Sequence, residues 1–233
     1  MRYKAIFIDI DDTLLDYIPC CREAFYSALG AIEPFRSKAH DDADKEELFR
    51  LFFSISGRLF SEAKHGQHTI AEVMDLYPVE FCERAGYRDG ASEPFKHAFR
   101  VAWGYTHTLV PEAKETLQTL KNKGYRLFAA SNSFGHLQRS RLQHAGILHY
   151  FEDTYISMDI GYDKPDIRFY QEALKRCGLK PQEVLMVGDS MTTDIIGAQA
   201  AGLDTIFFDR RAEGTTAEGV KVISALSQLT ELL

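Results

Sequence analysis

Hydrophobic and polar positions follow two different spacings along the chain. Residues 4–10 form a short apolar run that predicts a buried strand. From Pro19 to about Tyr105, apolar residues recur at helical spacing, and we find no convincing strand there. Beyond that block, short apolar runs alternate with helical segments bounded by Pro and Gly. The pattern therefore predicts an all-helical block inserted between the first strand and the others.

The helical block divides at polar and glycine-containing segments. Four helices are predicted, namely Pro19–Leu29, Asp44–Ala63, Ile70–Ala85 and Glu93–Tyr105. Pro78 lies inside the third, where its missing N–H is expected to kink the helix or shift its start. Aromatic residues recur at helical spacing in this block, and we interpret them as its core.

The rest of the chain alternates between strand and helix. The predicted helices are 111–123, 135–145, 167–177, 193–201 and 226–232, and the predicted strands are 125–130, 155–157, 184–187, 205–208 and 220–223. Such alternation predicts a parallel sheet that is covered on both faces. We therefore expect an α/β fold with a three-layer, Rossmann-like core. Its domain limits are 1–16 and 106–233 for the core, and 17–105 for an inserted four-helix domain.

Charge and cysteine content narrow the class of protein. A formal net charge of −7 argues against nucleic acid or an anionic membrane as the main partner. No apolar run approaches the ~20 residues that cross a membrane, and the first residues lack the pattern of a signal peptide. The four cysteines have no metal-ligand spacing, and the chain length argues against a disulfide framework, so we expect a reducing compartment. We expect a cytoplasmic protein with a small-molecule ligand and no evident obligate protein partner.

An acidic cluster follows the first strand directly. The chain continues there as Asp9-Ile10-Asp11-Asp12-Thr13. Side chains two positions apart on a strand share a face, so Asp9 and Asp11 are expected to point the same way, with Thr13 just beyond. Crowded like charges are unfavourable unless a cation or a proton compensates them. The cluster therefore indicates a metal site.

Three further groups follow later strands or lie in the loops between elements. They are Ser131-Asn132, Lys164-Pro165, and Gly188-Asp189-Ser190 with Asp194. Each alone can be explained as a helix cap or a solvated charge. Together they lie at the carboxyl edge of one predicted sheet, where ligands of open parallel sheets bind. Carboxylates suit Mg²⁺, and a hydroxyl, an amide and an ammonium can hold a phosphoryl group, so the set indicates phosphoryl transfer.

This ordered set resembles the haloacid dehalogenase-like (HAD) superfamily. The family pattern is Asp-x-Asp-x-Thr, then Ser/Thr-Asn, then Lys-Pro, then Gly-Asp-x-x-x-x-Asp, and it occurs here in that order. The resemblance implies that Asp9 is the nucleophile and that Asp11 is the general acid/base. It also implies that Thr13 and Ser131 contact the phosphoryl group. Asn132 would help to orient the site.

The resemblance also assigns the charged groups of the later motifs. Lys164 would neutralise the nucleophile and the phosphate. Mg²⁺ would be held by Asp9, by Asp189 and by the main-chain carbonyl of Asp11. Asp194 would hold Lys164 or a metal-bound water, with Ser190 beside it in the outer shell. The helical insertion would be the family's first type of cap domain, which can close over a site and contact the substrate away from its phosphate.

The second acid of the first motif indicates the reaction. Family members that cleave carbon–halogen bonds lack a carboxylic acid at the position of Asp11, because a halide leaves without protonation. An alkoxide is far more basic and needs a proton as it departs. Asp11 therefore favours a phosphatase acting on a small phosphomonoester.

The substrate class is narrowed by similarity to one branch. Residues 9–16 and 157–165 are similar to the branch that contains 5′-nucleotidases, which suggests a nucleoside 5′-monophosphate. Many relatives there have Gly or Asn at the position of Asp12. They also tend to have an Arg-Phe pair in the third cap helix, where residues 75–78 of this chain are Asp-Leu-Tyr-Pro.

Two alternatives stay open at this stage. A phosphomutase on the same scaffold would pass the phosphoryl group to a sugar hydroxyl instead of water. A phospho-acceptor module similar to response-regulator receivers would also use Asp, Ser/Thr, Lys and Mg²⁺ on a parallel sheet. Receivers are about half this length and lack a long helical insertion, which disfavours that alternative.

Overall fold

The chain divides into two units, one of which is interrupted in sequence by the other. The computed structural model describes residues 2–33, 35–37, 39, 41–87, 90–212, 214 and 219–233. One unit consists of Met1–Tyr17 with His107–Leu233, and the other of Ile18–Thr106. The first unit contains the sheet, and every strand described below belongs to it.

A parallel sheet of six strands forms the centre of the first unit within the described residues. The strands are β1 Ala5–Ile8, β2 Arg126–Ser131, β3 Asp153–Ile156, β4 Val184–Gly188, β5 Asp204–Phe208 and β6 Lys221–Ile223. Their order is β3-β2-β1-β4-β5-β6, so β1 lies between β2 and β4. Ile8 at the end of β1 is in register with Ala129 and Val187. The carboxyl ends of β1, β2 and β4 therefore meet at one edge, as predicted.

The chain also contains helices, and those of the first unit cover both faces of the sheet. The helices of the described residues are α1 Tyr17–Ala31, α2 Asp42–Lys64, α3 Ile70–Arg84, α4 Ser92–Trp103, α5 Ala113–Asn122, α6 Gly135–His144, α7 Ser157–Ile160, α8 Ile167–Cys177, α9 Gly197–Ala200 and α10 Ser227–Leu232. Ile6 and Ile8 of β1 pack in the core that α5, α6 and α10 cover. Ala5 and Phe7 pack in the core that α7, α8 and α9 cover. Successive residues of β1 thus face opposite sides of the sheet, and the sheet with helices on each side makes three layers. The predicted α/β fold class is confirmed.

The second unit is helical over its described residues. It contains α2, α3, α4 and nearly all of α1, which agrees with the predicted insertion. Its core is aromatic: Phe25 packs on Phe52 and Phe81 on Phe95, with both pairs of ring centroids 4.9 Å apart. Buried aromatic side chains bring a large hydrophobic contribution, and offset ring contacts add to it.

Helix α3 begins where the periodicity predicts and is not shifted by its proline. It continues through Pro78 to Arg84. Its start is fixed by Thr69, whose hydroxyl accepts a hydrogen bond from the amide of Glu72, while the carboxylate of Glu72 accepts one from the amide of Thr69. This reciprocal capping box satisfies two amides that have no partner inside the helix. None of the helices in the described part of the chain is long and apolar enough to span a membrane.

The predicted helix 193–201 differs from the structure at its start. Residues Met191–Ile196 form a π-helix that leads into α9. The carbonyl of Ser190 accepts hydrogen bonds from the amides of both Asp194 and Ile195. The hydroxyl of Ser190 accepts one from the amide of Thr193. This wide turn places the side chain of Asp194 against Gly188 at the end of β4. Apolar periodicity does not predict such a turn.

Candidate active site

A buried lysine occupies the centre of the site at the carboxyl edge of the sheet. The ammonium of Lys164 donates hydrogen bonds to Asp9 Oδ1 at 2.7 Å, to Asp194 Oδ1 at 2.6 Å and to the carbonyl of Ala130 at 2.8 Å. Lys164 is 4% exposed, Asp9 6% and Asp194 1%. An ammonium has three N–H donors, so these acceptors satisfy all of them. Lys164 therefore joins Asp9 and Asp194, which are far apart in the sequence, through its ammonium.

Asn132 fixes the main chain that carries this lysine. Its amide group donates to the carbonyl of Lys164 at 2.7 Å, and its side-chain carbonyl accepts from the amide of Lys164, also at 2.7 Å. The loop after β2 is thereby tied to the loop before α8. Asn132 orients Lys164 through two backbone contacts and does not itself bond Asp9 in the described contacts.

The acids form a cluster that matches a cation site. Asp9, Asp189 and Asp194 each bring a carboxylate oxygen within 4.8 Å of the others. The ammonium of Lys164 contacts Asp9 and Asp194, so the three carboxylates carry more negative charge than this one cation neutralises. Asp194 Oδ1 accepts a hydrogen bond from Lys164, and its Oδ2 accepts one from the amide of Ser190 at 3.0 Å. The hard oxygens of this set fit Mg²⁺, and the assignment of Asp9 and Asp189 as its ligands stays a prediction.

Burial changes the protonation of the two central groups. Desolvation raises the pKa of Asp9 to about 7, against the opposing effect of Lys164 and with a further rise from Asp194. Burial acts to lower the pKa of Lys164, but the carboxylates of Asp194 and Asp9 outweigh it and hold this pKa above its ordinary value. Lys164 is therefore positively charged at neutral pH. Burial therefore favours the protonated form of Asp9 more than in a solvated aspartate, and a further cation beside it would favour the carboxylate.

Two hydroxyl groups predicted to contact phosphate lie at the same edge. Thr13 is fully buried, and its hydroxyl donates to Asp189 Oδ1 at 3.4 Å. Ser131 is 2% exposed and accepts a hydrogen bond from the side-chain amide of Gln138 at 3.0 Å. Both hydroxyls thus lie against other side chains of the site, and their contact with a phosphoryl group stays a prediction.

Asp11 is held by two buried residues that the sequence analysis did not identify. Its Oδ1 accepts a hydrogen bond from Arg141 Nη1 at 2.6 Å, and its Oδ2 accepts one from Gln138 Nε2 at 2.6 Å. Gln138 and Arg141 are both on α6 and both fully buried. The strand alternation used to place Asp9 and Asp11 on one face does not apply to this segment, because the regular strand ends at Ile8.

The loop that carries the first motif is held by a second ion-pair network. Asp12 has a φ of 60°, which explains why Gly or Asn suits this position in similar sequences. Its carboxylate accepts hydrogen bonds from the amide of Tyr17 at 3.2 Å and from Arg211 at 2.6 Å. Arg210 binds both oxygens of Asp16, at 2.9 and 2.8 Å. These contacts connect the first motif to the loop after β5.

Comparison with known proteins identifies the family. The haloacid dehalogenase-like hydrolase model matches residues 3–202 of this chain. The chain belongs to this family. The resemblance inferred from the four motifs is therefore confirmed, and the protein is a HAD-like hydrolase.

Relatives and solved structures agree with this placement. The chain is 32% identical to a glyceraldehyde 3-phosphate phosphatase from Methanothermobacter thermautotrophicus, with 99% of each chain covered. It is 27% identical to the pyrimidine 5′-nucleotidase YjjG of Escherichia coli, with 100% of this chain and 99% of that protein covered. The crystal structure of the HAD-hydrolase YfnB from Bacillus subtilis bound to magnesium has a TM-score of 0.87 at 24% identity, covering 100% and 99% of the two chains. The similarity to YfnB, at this identity, establishes the fold alone.

Proposed function

We propose that the protein is a Mg²⁺-dependent phosphatase that hydrolyses a small phosphomonoester through a phosphorylated Asp9. The observation that carries the proposal is the buried contact of Lys164 with Asp9 and Asp194, with Asp189 close enough to complete a cation site. The names of the relatives support the reaction class, because they include phosphatases and nucleotidases that act on small phosphate esters.

The first half of the reaction transfers the phosphoryl group to the protein. A carboxylate oxygen of Asp9 attacks phosphorus, and the bond between phosphorus and the leaving oxygen breaks. Asp11 donates its proton to that oxygen, which departs as an alcohol. Lys164 offsets the negative charge of Asp9 and the incoming phosphate. Asp9, Asp189 and the main-chain carbonyl of Asp11 would hold Mg²⁺, which would neutralise negative charge on the phosphoryl group.

The second half of the reaction restores the protein. Asp11, now a carboxylate, removes a proton from water, and the water oxygen attacks phosphorus. The bond between phosphorus and Asp9 breaks, and inorganic phosphate is released. Thr13 and Ser131 would hold the equatorial oxygens, where the charge of the transition state lies.

Phosphate release from a panel of substrates tests the proposal. The panel contains pyrimidine and purine nucleoside 5′-monophosphates, a triose phosphate and phosphoserine, each with Mg²⁺ and with chelator. We expect release from at least one class, dependent on Mg²⁺, and a loss of turnover of at least about a thousandfold in Asp9→Asn, because the nucleophile is removed. Near-normal turnover of that variant would contradict the proposal. Asp42→Asn, which changes a fully exposed carboxylate, is the matched control and should retain activity.

A further inference from the structure

We infer that Gln138 and Arg141 of α6 are positioning residues that hold the carboxylate of Asp11 in the place where it transfers protons. The inference rests on the function proposed above, because it concerns the acid/base of that reaction. Arg141 Nη1 donates to one oxygen of Asp11 and Gln138 Nε2 to the other, both at 2.6 Å. Both carboxylate oxygens are thus held from the same helix.

The hydrogen bonds determine which way the Gln138 amide is turned. Arg141 has only donors, so the group of Gln138 that faces it at 2.8 Å must be the acceptor oxygen Oε1. The NH₂ group of Gln138 then faces Asp11 Oδ2, and also Ser131 Oγ at 3.0 Å. Because Arg141 orients Gln138 and both bind Asp11, the three side chains have one mutually consistent arrangement.

The burial of this pair is difficult to explain by packing alone. The side chain of Arg141 is completely buried, whereas that of Asp11 is 25% exposed. Burial of a guanidinium is costly even when it is paired, and apolar residues of similar volume are often as good or better for stability. The burial of a guanidinium that contacts the partly exposed carboxylate of Asp11 is therefore better explained by its effect on Asp11.

The arrangement has a direct chemical use in the proposed reaction. Asp11 must donate a proton to the leaving oxygen and then accept one from water at nearly the same place, and such transfers depend strongly on position. Gln138 also contacts Ser131, so the acid/base and a predicted phosphate contact are aligned by one amide. Neither Gln138 nor Arg141 needs to touch the substrate.

The dependence of the rate on the leaving group separates positioning from a merely structural role. An alkyl phosphate needs the proton of Asp11, whereas p-nitrophenolate is a weak base and leaves almost without it. We expect Arg141→Met to lose about a hundredfold in kcat/KM for the alkyl phosphate and less than about fivefold for p-nitrophenyl phosphate. Arg141→Lys should recover part of the alkyl activity, because it restores a donor toward Asp11.

Two reference variants complete the experiment. Asp11→Asn should show the same leaving-group selectivity more strongly, because it removes the acid itself. Arg139 is on the same helix, is partly exposed, pairs with Asp159 and donates a hydrogen bond to Thr154, so Arg139→Met should leave the turnover of both substrates unaffected. Melting temperatures of all variants establish that they are folded. If Arg141→Met does not fold, Gln138→Leu carries the same comparison, since it removes the other donor to Asp11.

Each result has a distinct meaning. Selective loss of the alkyl phosphate in Arg141→Met or Gln138→Leu supports the inference. Equal losses for both substrates, or none, while Asp11→Asn stays selective, would overturn it and leave the proposed function intact. An Asp11→Asn variant without any leaving-group selectivity would instead refute the acid role of Asp11, and the proposed mechanism with it.

Discussion

Lys164 illustrates how a single side chain can organise a site. Its ammonium donates three hydrogen bonds, to three oxygen acceptors at 2.6 to 2.8 Å. Asn132 holds its main chain through both the amide and the carbonyl of Lys164. A lysine in this state has little freedom to move, although lysine side chains are ordinarily flexible. Asp9 is consequently held at a defined position with a positive charge beside it. This is the arrangement that a carboxylate nucleophile needs when it approaches an anionic phosphate.

The raised pKa of Asp9 leads to a prediction about pH and metal. Burial raises it from 3.8 to about 7, so the folded protein without divalent cations binds a proton that the unfolded chain has already released. The stabilisation from that proton is complete below pH 3.8 and is lost as pH rises through about 7. Mg²⁺ requires the carboxylate form, so its stabilising effect should increase over the same range.

Thermal unfolding measures this linkage. We expect the increase in melting temperature caused by Mg²⁺ to be small near pH 5.5 and clearly larger near pH 8. In Asp9→Asn, which cannot titrate at this position, the Mg²⁺ effect should be weak at both values. A Mg²⁺ effect in the original protein that is equally large at both values would show that Asp9 is not the group that titrates.

At the scale of elements, the last residue of β4 controls where Asp194 can lie. A Cβ atom on Gly188 would overlap the carboxylate group of Asp194 and would come within 2.7 Å of its Cβ. Gly188→Ala must therefore displace Asp194, and Lys164 would lose one of its two carboxylate partners. We expect turnover to fall at least about tenfold, because a positioned charge is lost from the site. Steady-state kinetics with the substrate identified in the panel measure this effect.

Gly57→Ala is the matched control for that substitution. Gly57 lies in α2, and a Cβ atom there would meet no other atom within 4 Å. Replacing a helical glycine by alanine at such a place should leave activity unchanged and raise stability by about 0.5–1 kcal/mol. Unchanged turnover in Gly188→Ala would show that the contact between Asp194 and Lys164 is not needed.

The elements differ in how far the sequence predicts them. The strands of the core follow from short apolar runs and glycine stops, although β3 begins two residues before its predicted start and ends one residue before its predicted end. Helix α6 is different: it is polar on several sides, so periodicity does not show that Gln138 and Arg141 are its buried polar residues. The π-helix at Met191–Ile196 depends on hydrogen bonds to Ser190, which no apolar pattern encodes. Both failures concern polar contacts made only in the folded chain.

At the scale of the whole molecule, strand order explains why residues so far apart in sequence form one site. Asp9 follows the central strand β1, while Ser131 ends β2 and Asp189 follows β4, its two neighbours. Lys164 enters from the loop before α8 and reaches β1 at the same edge. Ligands of open parallel sheets bind at the carboxyl edge, and this topology places Asp9, the proposed nucleophile, near the middle of that edge.

The central claim is that Asp9 carries the phosphoryl group during the reaction. The most direct measurement is to mix the protein and Mg²⁺ with a substrate radiolabelled in its phosphoryl group, quench in acid during turnover, digest, and locate the label. We predict an acid-stable label on the peptide that contains Asp9, released by hydroxylamine and absent from Asp9→Asn. Phosphate release without any labelled peptide, or with the label only on a peptide that lacks Asp9, would contradict the account.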